Sequence, residues 1–183
     1  MKRIALYLAM AIFTLSLNAQ EELPTAKGNK LLNVGTGIFG GSGGLNFIPL
    51  HIGMDFFIVN NLSAGFDLNW RYYASQEVVG KPNLISAQVV VDYHFNELMN
   101  LSPSWDFYTG LKLGAGYMFT DEELEDYNTH YKSGVKFVFD ARAGIRYYIN
   151  SGLALNSEVG VASVSGTETT GASFTIGITA KLN

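Results

Sequence analysis

From Leu62 the chain reads Leu-Ser-Ala-Gly-Phe-Asp-Leu-Asn-Trp-Arg-Tyr-Tyr, with apolar residues at even positions and Ser63, Asp67, Asn69 and Arg71 at odd ones. Successive side chains of an extended chain point to opposite sides, so a two-residue period marks a strand with two unlike faces. The same alternation predicts eight strands, over residues 31–39, 47–59, 62–74, 84–96, 105–119, 135–149, 153–163 and 172–182. In the fourth, Ile85, Ala87, Val89, Val91, Tyr93 and Phe95 oppose Ser86, Gln88, Asp92 and His94. In the fifth, Trp105, Phe107, Leu111, Leu113, Ala115, Tyr117 and Phe119 oppose Asp106, Tyr108, Lys112 and several glycines. The sixth sets Phe137, Phe139, Ala141, Ile145 and Tyr147 against Lys136, Asp140, Arg142 and Arg146. A slip of one residue would invert each set, so the shared division of faces fixes the register.

Long connections, 40–44, 75–83, 120–134 and 164–171, alternate with the tight turns Asn60-Asn61 and Asn150-Ser151-Gly152. The connection 96–104, which holds Pro103, is longer than this rhythm expects.

The charges give the pattern its meaning. Arg71, Lys112, Lys136, Arg142, Arg146 and Lys181 share one face with Asp55, Asp67, Asp92, Asp106, Asp140 and Glu158, and the opposite face is uncharged. A soluble barrel encloses its apolar face, but this one is too continuous and too aromatic to fit inside a small barrel. The expected fold is therefore all-β: an eight-stranded antiparallel up-and-down transmembrane β-barrel with lipid outside and a side-chain-plugged polar interior. Its outward aromatics fall in two girdles. Trp70, Tyr72, Tyr117, Phe119, Phe137 and Phe139 lie toward the long-loop ends, and Phe56, Tyr93, Phe95, Trp105, Phe107 and Tyr147 toward the short turns. Leu111 and Ile145 fall near mid-strand between them. Short turns belong on the periplasmic side, which puts both termini there.

Met1-Lys2-Arg3, the uncharged run Ile4 to Leu17 and the following Asn18-Ala19-Gln20 read as a secretory signal peptide cut after Ala19. The expected organisation is signal peptide 1–19, periplasmic lead-in 20–30 and barrel 31–183. With 16 acidic residues against 12 basic ones, two of which leave with the signal peptide, nucleic acid is excluded as a partner. The chain has no cysteine, hence no disulfide, thiolate metal site or lipoprotein anchor.

Export signal, eight strands, long outer loops and a polar interior resemble the OmpA/OmpX-like small outer-membrane β-barrels of Gram-negative bacteria, over residues 31–183. Such barrels often end in an aromatic residue, whereas this chain ends Ala180-Lys181-Leu182-Asn183. The resemblance implies a bacterial outer-membrane location and no particular activity.

Candidate chemistry centres on the inner face. Asp55, Asp67, Arg71, Asp92, Lys112, Asp140, Arg142, Arg146 and Glu158 are expected to form an interior ion-pair network, since an eight-strand barrel is just wide enough for side chains to fill. Glu158 and Arg146, across the Asn150–Gly152 turn, are its expected specific pair. Asp55 and Asp67 could face each other across Asn60-Asn61, with Arg71 or water between them. His51 and His94 face inward at opposite ends of the barrel and cannot share a metal. Spacing reveals no convergent Ser, His and acidic residues for an acyl-transfer site. Gly35-Thr36-Gly37-Ile38-Phe39-Gly40 matches a dinucleotide fingerprint, but a strand with Pro49 follows where a helix is needed. Asp121, Glu122, Glu123, Glu125 and Asp126 form an acidic outer loop, a possible cation bridge to lipopolysaccharide that lacks the ligand spacing of a calcium loop.

These readings favour a monomeric, non-enzymatic barrel without cofactor or metal. Its partners are outer-membrane lipid and lipopolysaccharide, and its role is structural or in surface interaction. The alternatives are a narrow porin-like conduit for ions or small solutes, a lipid A-modifying enzyme and a secreted lipocalin-like barrel.

Overall fold

The computed structural model describes residues 23–41, 46–73, 82–120, 132–167 and 170–182. Eight strands run β1 (Lys30–Gly41), β2 (Asn46–Val59), β3 (Leu62–Tyr73), β4 (Asn83–His94), β5 (Trp105–Phe119), β6 (Gly134–Asn150), β7 (Leu153–Val164) and β8 (Thr170–Leu182). Each pairs antiparallel with the next, and β1 pairs with β8, so the sheet closes in chain order with no free edge. The expected strands match these within a few residues. The signal peptide, the acidic segment 121–126 and His130 lie outside the described residues.

The alternation places side chains as charge and hydropathy demand. Every Asp, Glu, Lys and Arg of the eight strands is on the inner face except Lys30, the first residue of β1. Val89, Leu111, Leu113, Val159 and Ile176, by contrast, stand more than half exposed on the outside. Outward aromatics pack in pairs at the two rims. Trp70 meets Tyr72 at 5.6 Å and Tyr117 meets Phe119 at 4.8 Å near the long-loop end. Tyr93 meets Phe95 at 5.1 Å, and Trp105 meets Tyr147 at 4.7 Å and Phe107 at 6.2 Å, near the short-turn end.

Two tight turns set the registers at the short-turn end. Asn61 takes the left-handed conformation at φ 61° in the turn after β2, and β2 bulges between Phe57 and Val59. After β6, the Asn150 side chain accepts a 2.9 Å hydrogen bond from the Gly152 N–H, and a bulge lies between Tyr148 and Asn150.

Two features go beyond the expected plan. The lead-in is built into the barrel: Thr25 Oγ1 donates to Asn61 Oδ1 at 3.0 Å, and the Asn61 N–H returns to the Thr25 carbonyl. The Asn29 side-chain amide donates to the carbonyls of Leu23 and Pro24, and the Gly28 N–H donates to the Phe57 carbonyl, extending the hairpin edge by a few residues. The interior is also not polar throughout. Phe39, Phe47, Leu84, Met118, Val138, Ala162 and Val164 form a buried apolar layer at the long-loop end, and Leu31 and Phe57 are buried near the base. The lumen is thus an ionic middle held between apolar ends.

Candidate functional site: the charged lumen

Because the strands rise in register around a closed sheet, inner residues from nonadjacent strands meet across the lumen. At the base, Arg146 from β6 donates through Nη1 to Asp106 Oδ2 at 3.1 Å and through Nη2 to Asp55 Oδ2 at 2.9 Å. Its guanidinium lies 4.2 Å above the Tyr108 ring. Asn33 donates to the same Asp55 oxygen at 2.8 Å and accepts from Thr179 Oγ1 at 2.8 Å, which in turn accepts from the Asn156 amide.

One level up, Arg142 grips Asp92 with Nη2 at 2.6 Å and Nε at 3.3 Å, and its Nη1 donates to Glu158. The Tyr108 hydroxyl donates to Glu158 Oε1 at 2.7 Å. Above these, Asp67 Oδ2 accepts from Lys112 Nζ at 3.1 Å and lies 3.1 Å from His51 Nδ1. Arg71 donates to Asp140 at 2.7 Å, where Gln88 also donates, and stacks 5.2 Å above the Phe39 ring.

All nine residues expected in the network lie buried on this inner face and join ion pairs there. The expected pairings need correction. Glu158 is bonded to Arg142, not Arg146, because the register sets Glu158 opposite Gly144 and Arg146 opposite Asn156. Arg146 instead bonds Asp106, directly opposite it on β5, and reaches across the lumen to Asp55. Asp55 and Asp67 do not face each other either, for the register pairs Asp55 with Gly65 and Asp67 with Gly53. Neither Arg71 nor a shared proton is needed to keep them apart.

Glycines make room for this packing. A Cβ on Gly144 would run into the Tyr108 ring, and one on Gly110 would meet the Asp92 carboxylate. Gly144→Ala is therefore expected to displace Tyr108 from Glu158 and to lower stability by about 1–3 kcal/mol. Urea unfolding of the refolded barrel, followed by the shift between its folded and unfolded gel bands, measures this. An unchanged midpoint would mean that Tyr108 moves aside at no cost.

Spacing alone did not reveal one cluster. Ser63 Oγ lies 3.3 Å from His94 Nε2, and His94 Nδ1 lies 2.7 Å from Asp106 Oδ1. The only sequence signal is that the three sit at the basal ends of consecutive strands β3, β4 and β5. This order of groups is that of a nucleophile relay, which also requires a reachable hydroxyl and oxyanion donors. Here the imidazole is clamped between Phe57 at 4.8 Å and Tyr108 at 5.4 Å, and Ser63, His94 and Asp106 are fully buried.

In the upper lumen, Arg71, Lys112, Asp140, Arg142 and Glu158, with Phe39 and Pro49, border a cavity of about 30 Å³, room for about one water. Among the described residues, Arg71 Nε and Nη1 and Asn69 Oδ1 at its wall have no partner. Among the described residues, no group of three or more His, Asp or Glu is placed to hold a metal ion.

No family model matches the sequence, and neither does any curated protein. Solved structures do. Neisserial surface protein A is similar at TM-score 0.63 and 12% identity, over 84% of this chain and 96% of its own. The N-terminal β-barrel domain of Pseudomonas aeruginosa OprF is similar at TM-score 0.56 and 13% identity, over 85% and 98%. The outer membrane enzyme PagL is similar at 0.54 and 12%, over 81% and 98%. Eight antiparallel strands closed in chain order, charged within and apolar without, give this chain the fold of the small outer-membrane β-barrels.

Proposed function

We propose that the protein is an integral, monomeric component of the bacterial outer membrane, with both termini periplasmic and its lumen closed by its own side chains. Its role on this reading is structural or in surface interaction, and it is not an enzyme. The observation that carries the proposal is the inversion of faces. An outer belt of uncharged, aliphatic and aromatic side chains surrounds a middle in which Arg146, Asp106 and Asp92 have no solvent exposure. In water that belt would be an exposed apolar surface far larger than soluble monomers carry. In lipid it is the favoured exterior, and the paired aromatics at both rims match the two headgroup layers.

The proposal predicts that the refolded protein stays with detergent or vesicles and gives no steady current in a planar bilayer. A protein that remains monodisperse in buffer without detergent would overturn it in favour of the lipocalin-like reading. The small cavity beside Arg71 favours a narrow conduit as the second reading. A reproducible conductance that changes on Arg71→Gln would establish that reading instead. Among the described residues, the Ser63–His94–Asp106 cluster is the feature that speaks for an enzyme. On the closed-barrel proposal, lipid A from cells with and without the gene has the same mass.

A further inference from the structure

The β4–β5 connection, which broke the rhythm of short turns, is a locked helical turn. The Met99 N–H donates to the Phe95 carbonyl at 2.8 Å, Asn100 to Glu97 at 3.2 Å and Leu101 to Asn96 at 3.0 Å. The last two bonds, with Asn100 in the left-handed region at φ 50°, make the stop motif that closes helices. The Asn96 amide then donates to the Trp105 carbonyl at 2.8 Å and the Trp105 N–H to Ser102 at 2.9 Å, which pins the turn to the start of β5.

This turn holds two apolar side chains in the open. Leu98 is 73% exposed and Met99 55%, and Glu97 is the only charge between Phe95 and Ser104. A single exposed leucine means little. Leu98 and Met99 are adjacent, at the tip of an ordered loop, where exposure to water is costly for both. Both ends of the loop lie in the aromatic band at the short-turn end: Phe95 packs edge-on to Tyr93, and Trp105 packs on Tyr147. Residues three and four apart on a helical turn share a face and lie about 4.5–6 Å apart along its axis, so Leu98 and Met99 stand on the side of the turn that carries Phe95.

We infer that the 95–101 turn is an interfacial anchor, with Leu98 and Met99 inserted at the headgroup–acyl boundary of the periplasmic leaflet. The inference rests on the proposal that lipid covers the outer face. Lipid is favoured as the occupant because the pair is continuous with the aromatic band, which settles at that depth. A turn already fixed by its own hydrogen bonds also loses little freedom on insertion.

The chain has no cysteine, so single nitroxide labels can be placed cleanly. Leu98→Cys, Met99→Cys, Ser151→Cys and Leu111→Cys would each be labelled, refolded into phosphatidylcholine vesicles and checked for folding by gel shift. Collision with oxygen would then be compared with collision with a water-soluble nickel chelate. The expected order of oxygen preference is Leu111 highest, Leu98 and Met99 intermediate, and Ser151, in the β6–β7 turn at the same end, lowest. If labels at 98 and 99 match Ser151 while Leu111 reports hydrocarbon, the anchor is overturned and the pair is left to a soluble partner. If Leu111 itself reads as water, the membrane proposal fails and the anchor with it.

Discussion

Arg146→Met is expected to destabilise the barrel by about 3–5 kcal/mol, enough to remove much of the stability of a small domain. Arg146 has no solvent exposure and, among the described residues, is the only cation bonded to Asp55 and one of two positively chargeable groups bonded to Asp106. Methionine fills much of the arginine volume and keeps contact with the Tyr108 ring, but it leaves two carboxylates in a closed, low-dielectric space. The loss therefore comes from uncompensated charge and not from a cavity. The urea midpoint of the refolded variant, read by gel shift, gives the magnitude. The triple variant Arg146→Met, Asp55→Asn, Asp106→Asn removes the stranded charges together and should recover most of the loss. A single variant as stable as the native protein, or a triple variant no better than the single, would show that the basal cluster is not closed to water.

Lys112→Met should cost less than Arg146→Met. It strands only Asp67, which keeps His51 at 3.1 Å, and Lys112 itself borders the upper-lumen cavity. The two substitutions thus rank the lumen by depth. They also separate two views of its charges: a sealed network gives a large difference between base and top, and an aqueous conduit gives two small, similar effects.

How much of this was legible in the sequence depends on the range of each interaction. Strand identity, face and topology follow from a two-residue period and from turn residues such as Asn61 and Gly152, which act within a few positions. Membership of the lumen is equally local, since parity alone places Arg71 or Asp140 inside. Partners are not local. Arg146 meets Asp106 directly opposite it on β5, but its second carboxylate, Asp55, comes from β2 and is brought to it only by closure of the sheet. Parity predicts the inner position of Phe39, Leu84 and Val138, yet the sum of such positions as an apolar layer needs the barrel in three dimensions. The Ser63, His94 and Asp106 cluster was missed for the same reason.

The outer face yields the second large effect. Leu111 is 53% exposed on β5, midway between the rim pairs Trp105/Phe107 and Tyr117/Phe119, and is paired with Val91 and Ala141. An arginine there would have to hold its charge at the deepest level of hydrocarbon, so Leu111→Arg is expected to lose about 2–4 kcal/mol. Ile145 looked equivalent from its place in the sixth segment. The register instead sets it opposite Phe107 and Ser157, at the level of the short-turn aromatic band, where an arginine side chain reaches the headgroups. Ile145→Arg should therefore lose only about 0–1 kcal/mol. Both values come from urea titrations of protein folded in vesicles, and the same pair in detergent should differ less, because a micelle deforms around a charge. Equal effects at the two positions would mean that depth is irrelevant to the outer face. That result would be expected of a packed protein interface and not of a bilayer.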